Sequence, residues 1–230
     1  MAIPLFDSRR RLLIAAATTP WLLASCGEER EEEHEEAGEN PPVLPVEDLM
    51  REHGLLDRLL IVYEQSLSQK DIPWPVIGGA AQIIHAFIED FHEKQEEAEV
   101  FPRLEHAGRE LQLVATLRQQ HHVGRLLTER IEHLVSASPT NDTDRDHYIT
   151  SIRQFISMYR AHAAREDTVL LPAFREVVSG HEYEALHETF ETREHAVLGH
   201  GGFHRYLAQV TQLELSLGIG DLATFTPTVS

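Results

Sequence analysis

The stretch FHEKQEEAEVF, residues 91–101, has ionisable side chains at positions where a helical bundle would normally have leucine. His92 and Glu96 are four residues apart, so they lie on the same face of a predicted helix. Phe87 and Phe91 flank this pair with apolar side chains. Because a buried carboxylate without a partner is strongly unfavourable, this face needs a partner that the helix alone does not supply.

The chain from residue 47 onward has helical periodicity, and no window shows the sustained alternation that marks a strand. Helices are predicted over residues 47–69, 75–101, 110–137 and 144–178, followed by a fifth helical segment over residues 182–217 that bends near residues 199–202. Long amphipathic helices joined by short turns predict an all-α fold, an up-down-up-down four-helix bundle with an additional C-terminal helical segment. Pro102 and Pro172 are expected to end or kink the second and fourth helices.

Each of the four bundle helices carries a histidine on its apolar stripe, and two of them carry a glutamate one turn later. These residues are His53, His92, Glu96, His121, His162 and Glu166. A single histidine on such a stripe is more often a hydrogen-bonded core residue, and a histidine–glutamate pair is often an exposed ion pair. Six such residues on inward faces favour a metal centre, because imidazole and carboxylate bind cations that offset the buried charge.

Helix three offers two adjacent histidines. His121 shares its stripe with Val114 and Leu117, whereas His122 and His133 lie on a neighbouring polar line. We therefore choose His121 as the inward residue and expect the other two to face water.

The motifs that carry these residues resemble the hemerythrin-like domains, also called HHE cation-binding domains. They are Glu52-His53, FHEKQEEAEVFP, QQHHVGR and HAAREDTVLLP. The resemblance covers about residues 47–174 and implies a four-helix bundle that holds two iron ions, with other divalent cations as an alternative. It implies that the six residues are the ligands and that Glu96 and Glu166 bridge the ions.

One position departs from the oxygen-carrying hemerythrins. They have a second histidine one turn after the first on helix three, where this chain has Arg125. Glu93, His85 and Asp167 are open alternatives for a further ligand, and we expect His85 to be a supporting or core histidine. On helix four, Glu166 fits the stripe better than Asp167.

The resemblance implies a protein that binds or senses a small ligand, such as dioxygen, nitric oxide or peroxide, at the bundle core. A di-iron oxidase, peroxidase or nitric-oxide-detoxifying enzyme is a second hypothesis, and a periplasmic lipoprotein that buffers iron or other cations is a third. The C-terminal histidines do not keep one helical face, so we expect them to pack over the bundle or face solvent. They are His181, His187, His195, His200 and His204.

The N-terminus has the features of an export signal. Residues 1–25 combine a basic start with a short apolar run, and Leu23-Ala24-Ser25-Cys26 resembles a bacterial lipobox. The Ser-Arg-Arg-Arg-Leu-Leu run resembles a twin-arginine signal. Cys26 is therefore expected to be lipidated and to anchor the protein at the cell envelope, facing the periplasm. Because Cys26 is also the single cysteine, no intramolecular disulfide forms.

The composition predicts the remaining organisation. Residues 26–46 are an acidic, proline-containing tether expected to be disordered, residues 47–178 form the bundle, residues 181–217 a C-terminal helix, and residues 218–230 a tail. The formal net charge of −18 argues against nucleic-acid binding, which needs clustered Lys and Arg.

Overall fold

The computed structural model describes residues 44–137 and 142–229. These residues form helices and no strands, which confirms the all-α prediction. The predicted signal, Cys26 and nearly all of the tether lie outside the described residues.

The described residues form six main helices. They are α1 (Pro45–Ser66), α2 (residues 74–107), α3 (Leu111–Ala137), α4 (residues 142–177), α5 (Gly180–Leu198) and α6 (Gly202–Ser216), followed by a short 3-10 turn at Leu222–Phe225. The predicted fifth segment is thus two helices. They are separated at Gly199 and Gly201, whose φ angles of 76° and 66° favour glycine.

Helices α1 and α3 each pack against both α2 and α4. The hydroxyl of Ser66, at the end of α1, lies 2.6 Å from the hydroxyl of Tyr148, near the start of α4. Nδ1 of His53, in the first half of α1, lies 2.6 Å from Oδ1 of Asp167, late in α4. Helices α1 and α4 therefore run in opposite directions.

Helices α2 and α4 continue through Pro102 and Pro172, and each contains a π-helical turn just before its proline. These turns are Glu96–Val100 and Glu166–Leu170. The residue before each proline donates its N–H to the carbonyl of the glutamate five residues earlier. A proline has no N–H and crowds the preceding turn, and the wider turn accommodates it without ending the helix. Both π turns start at a predicted glutamate ligand.

The apolar core consists of two clusters, and the predicted ligands lie between them along the chain. On α1, Leu49 belongs to one cluster and Leu55 to the other, with His53 in between. On α3, Leu117 and Leu127 bracket His121 in the same way. The polar residues therefore interrupt the core at one level of the bundle.

The two C-terminal helices cover the bundle at different places. Helix α5 contributes Tyr183, Leu186 and Phe190 to the cluster that contains Leu49. Helix α6 is held to α1 by Arg58, which donates to Glu214 at 2.8 Å and 2.5 Å. Among the described helices, none combines the length and the apolar content that crossing a membrane requires.

Candidate metal centre

The structure brings the six predicted ligand residues together in the interior. Their exposed fractions are between 0% and 3%. Each histidine comes from a different helix, and Glu96 and Glu166 lie one turn after the histidines of α2 and α4. Their role as ligands remains a prediction, but their convergence is what that prediction requires.

The four histidines form two pairs. The rings of His53 and His92 are 4.8 Å apart, and those of His121 and His162 are 5.0 Å apart. Glu96 belongs to both halves of the cluster, because its carboxylate joins the first pair in one group of donors and the second pair in another.

The two glutamates connect the histidine pairs. Glu166 Oε2 lies 2.9 Å from Nε2 of His162 and 3.3 Å from Nε2 of His53. Glu96 Oε2 lies 3.5 Å from Nε2 of His121 and 3.7 Å from that of His92. Two donors about 2.1 Å from one cation at right angles are about 3 Å apart, so these separations suit shared coordination.

The hydrogen-bonding potential of the cluster is unsatisfied. Both carboxylate oxygens of Glu96, both of Glu166, and Nε2 of His53 and His121 are buried and make no hydrogen bond. Buried polar atoms are normally paired, and six orphan atoms at one place are costly in the protein alone. A bound cation would satisfy them, so the residues present fit a metal.

The outer nitrogen of each histidine ring is held by a side-chain oxygen on a neighbouring helix. The Nδ1 contacts are His53 to Asp167 at 2.6 Å, His92 to Glu52 at 2.6 Å, His121 to Glu97 at 3.1 Å and His162 to Gln120 at 3.0 Å. Carboxylate and amide oxygens accept hydrogen bonds, so each Nδ1 donates. In the neutral ring the lone pair is then on Nε2, which faces the cluster and is available to a cation.

These four residues were not predicted from the sequence as partners of the histidines. Each is the chain neighbour of a predicted ligand: Glu52 precedes His53, Gln120 precedes His121, Glu97 follows Glu96 and Asp167 follows Glu166. Each supports a histidine on another helix rather than its own neighbour. The available signal was a polar residue next to four of the six predicted ligands.

The contact between His92 Nδ1 and Glu52 leads to a testable prediction. Glu52→Ala removes the acceptor of His92 Nδ1, so the ring loses its fixed tautomer and orientation. Such losses typically weaken metal binding by about 10- to 100-fold. A chelator competition measures this change, with Glu47→Ala as control, because Glu47 is exposed on the same helix. Equal metal affinity in both variants would contradict the supporting role of Glu52.

The three alternative ligands have different surroundings. Asp167 is the partner of His53 Nδ1, outside the inner cluster. Glu93 is fully buried, and its carboxylate accepts hydrogen bonds from Tyr159 and Arg125. The side chain of His85 is 48% exposed beside Asp90 and Glu132, so the expectation of a core or supporting histidine is wrong.

The other histidines that the structure describes lie outside the cluster. His122 and His133 are exposed, as expected. Among the described residues, the C-terminal histidines join no group of possible metal donors. His187 is half-buried, and the other four, His181, His195, His200 and His204, are exposed.

The acid–base state of the metal-free cluster reflects its burial. Burial, with the charge of Glu166, raises the pKa of Glu96 well above its usual value. Burial acts on Glu166 in the same sense, but His162 and His53 outweigh it and lower its pKa. Burial lowers the pKa of His121 to about 4, which keeps its ring in the neutral form that binds metal.

A set of nearly fully buried histidines and glutamates inside a helical protein defines the class to which this chain belongs, the helical metal-binding proteins. The family model for the hemerythrin HHE cation binding domain matches residues 44–174. The chain belongs to this family, which confirms the resemblance seen in its motifs. Family and cluster together indicate a protein that binds metal cations, commonly iron.

Two mycobacterial proteins are similar over most of this chain. They are Uncharacterized protein Rv1995 of Mycobacterium tuberculosis and Uncharacterized protein Mb2018 of Mycobacterium bovis. Each is 43% identical over 191 residues, which cover 81% of this chain and 75% of the relative. No solved structure matches the chain.

Proposed function

We propose that this chain is an up-down-up-down bundle that holds two iron ions and binds or senses dioxygen, nitric oxide or peroxide there. The observation that carries the proposal is the pair of buried glutamates, whose four carboxylate oxygens have no hydrogen-bond partner and lie between two histidine pairs. His53 and His92 would hold one ion, His121 and His162 the other, and Glu96 and Glu166 would bridge them.

The arrangement of the donors favours a small-ligand site over a cation buffer. Two imidazoles and two shared carboxylates would give each ion four protein donors, which would leave coordination positions for a small molecule. When bound, the iron pair would supply redox chemistry and those open positions. The protein's part is to orient the imidazoles through Nδ1 and to exclude water with the two apolar clusters.

Metal content and an optical spectrum test the proposal. Purified protein is expected to contain two irons per chain and to show the near-ultraviolet absorption of a ferric pair, which a chelator removes. One tightly held ion, or many loosely held ones, would contradict it.

Rapid mixing of the reduced protein with dioxygen or peroxide then separates ligand binding from enzymatic turnover. A stable, reversible spectral change indicates binding, and rapid turnover without one indicates the oxidase or peroxidase alternative.

We also propose that the protein is exported and held at the bacterial cell envelope by lipid on Cys26. The support is the match of Leu23-Ala24-Ser25-Cys26 to a lipobox at the end of a signal-like segment.

The lipid anchor predicts the outcome of membrane fractionation. Cys26→Ser removes the lipidated thiol, so the protein should move from the membrane to the soluble fraction, since acyl chains supply the attachment. Gly27→Ala leaves the thiol in place and should remain membrane-bound. A Cys26→Ser protein that stays in the membrane fraction would rule out the anchor.

A further inference from the structure

Glu93 is a buried acid next to the cluster that is not among the predicted ligands. It follows His92 in the chain and is 0% exposed. Its carboxylate, that of Glu97 and a ring nitrogen of His121 lie within 4.8 Å of one another. A buried carboxylate beside a histidine that would hold an ion is a potential ligand of that ion unless other groups hold it.

Two side chains hold both oxygens of Glu93. Tyr159 donates its hydroxyl to Oε1 at 2.6 Å, and Arg125 donates Nη2 to Oε2 at 2.6 Å. The same Nη2 of Arg125 donates to Glu97 at 2.8 Å, so the guanidinium links two neighbouring acids. Charge-assisted bonds of this kind are among the strongest in proteins.

Tyr159, the first of these donors, is held in the core. The ring of Tyr159 is fully buried and packs against Phe155, with ring centroids 4.4 Å apart. Its hydroxyl occupies space left by Gly124, where an added Cβ would be 1.9 Å away. Arg125 is the next residue of α3, so one short segment provides both the space for Tyr159 and the positive charge.

We propose that Tyr159 and Arg125 are positioning residues that withhold the Glu93 carboxylate from the metal ions and so keep a coordination position open for the external ligand. This inference rests on the proposed function, because it assumes a loaded metal pair. Without the two donors, the carboxylate would turn toward the nearest ion. The protein would then hold metal more tightly and bind small anions less well.

Azide, a small anionic probe, tests this restraint in the iron-loaded protein. In Tyr159→Phe with Arg125→Leu, the dissociation constant for azide should rise at least tenfold, while iron is lost more slowly to a chelator. Each single variant should show a smaller change in the same directions. Damage to the fold alone would weaken both azide binding and iron retention, so the opposite directions identify release of Glu93.

The matched controls remove the same chemical groups elsewhere. Tyr148→Phe deletes a buried hydroxyl on α4 that meets Ser66, and Arg118→Leu deletes a guanidinium on α3 that pairs with Glu105. Both should bind azide as the wild type does. Adding Glu93→Gln to the double variant should restore azide binding, because a neutral amide is a much weaker iron ligand.

The outcomes separate the two proposals. If the wild type binds two irons and azide, but the double variant binds azide equally well, the restraint is overturned and the proposed function stands. Failure of Glu93→Gln to restore azide binding also overturns the restraint. If the wild type holds no iron pair, both proposals are overturned.

Discussion

Replacing Glu96 with glutamine is expected to change the stability of the metal-free and metal-loaded protein in opposite directions. Glu96 is 0% exposed, and neither of its carboxylate oxygens has a hydrogen-bond partner. Burial raises the pKa of its carboxyl well above the usual value, so the charged form is unfavourable in the metal-free fold. A neutral amide at this position should make the metal-free protein more stable.

The loaded protein should respond in the reverse sense, because Glu96 belongs to both donor groups. Its loss should therefore lower the metal content from the proposed two ions per chain to fewer than one. A ligand present at a thousand times its dissociation constant stabilises a fold by about 4 kcal/mol. For a chain of this size that corresponds to about 8–16 °C in Tm, which Glu96→Gln should largely forfeit.

Melting curves with and without metal, combined with elemental analysis, check both parts. His53→Ala provides a comparison, since it removes a donor from one group and should leave about one ion bound. Glu99→Ala, which changes an acid paired with Arg103 on the same helix, should keep two ions bound. Two ions retained by Glu96→Gln would show that the bridging assignment is wrong.

Helical periodicity was sufficient to predict which side chains converge. His53, His92, His121 and His162 each follow the three- and four-residue spacing of an apolar stripe, and burial of that stripe brings them together. The choice of His121 over His122 depended on the same rule, and the structure buries the first and exposes the second.

His85 shows where that rule fails. Seven residues are about two α-helical turns, so a regular α-helix would put His85 on the face of His92. Residues Ile84–His92 instead form a π helix, which has more residues in each turn. Seven residues then no longer return to the same face, and His85 is directed to the surface. Apolar spacing alone did not reveal this change of period.

The Nδ1 partners illustrate a second limit. Glu52 supports His92 rather than its neighbour His53, and Gln120 supports His162 rather than His121. These contacts depend on how adjacent helices are aligned along their axes, and the sequence of one helix does not contain that alignment. Sequence reasoning therefore identified the buried residues that converge, which are the predicted metal donors, but not the residues that hold their Nδ1 atoms.

Gly124→Ala is expected to destabilise the protein by about 2–4 kcal/mol, although alanine favours helices more than glycine does. An added Cβ would lie 1.9 Å from the hydroxyl oxygen of Tyr159 and 2.7 Å from its Cζ, and Tyr159 is fully buried in the core. Displacing the hydroxyl would also break its bond to Glu93 and leave a buried acid with one partner fewer. The expected fall in Tm is about 5–15 °C.

Gly54→Ala is the matched control for that measurement. Gly54 is an exposed residue inside α1, and an added Cβ there would meet nothing within 4 Å. Gly54→Ala should stabilise the protein by about 0.4–1 kcal/mol, because alanine has less conformational freedom than glycine in the unfolded chain. In a Tyr159→Phe background the cost of Gly124→Ala should shrink, since the 1.9 Å contact is removed while the 2.7 Å contact stays. Similar effects of alanine at Gly124 and Gly54 would mean that Tyr159 does not occupy the space beside Gly124 in solution.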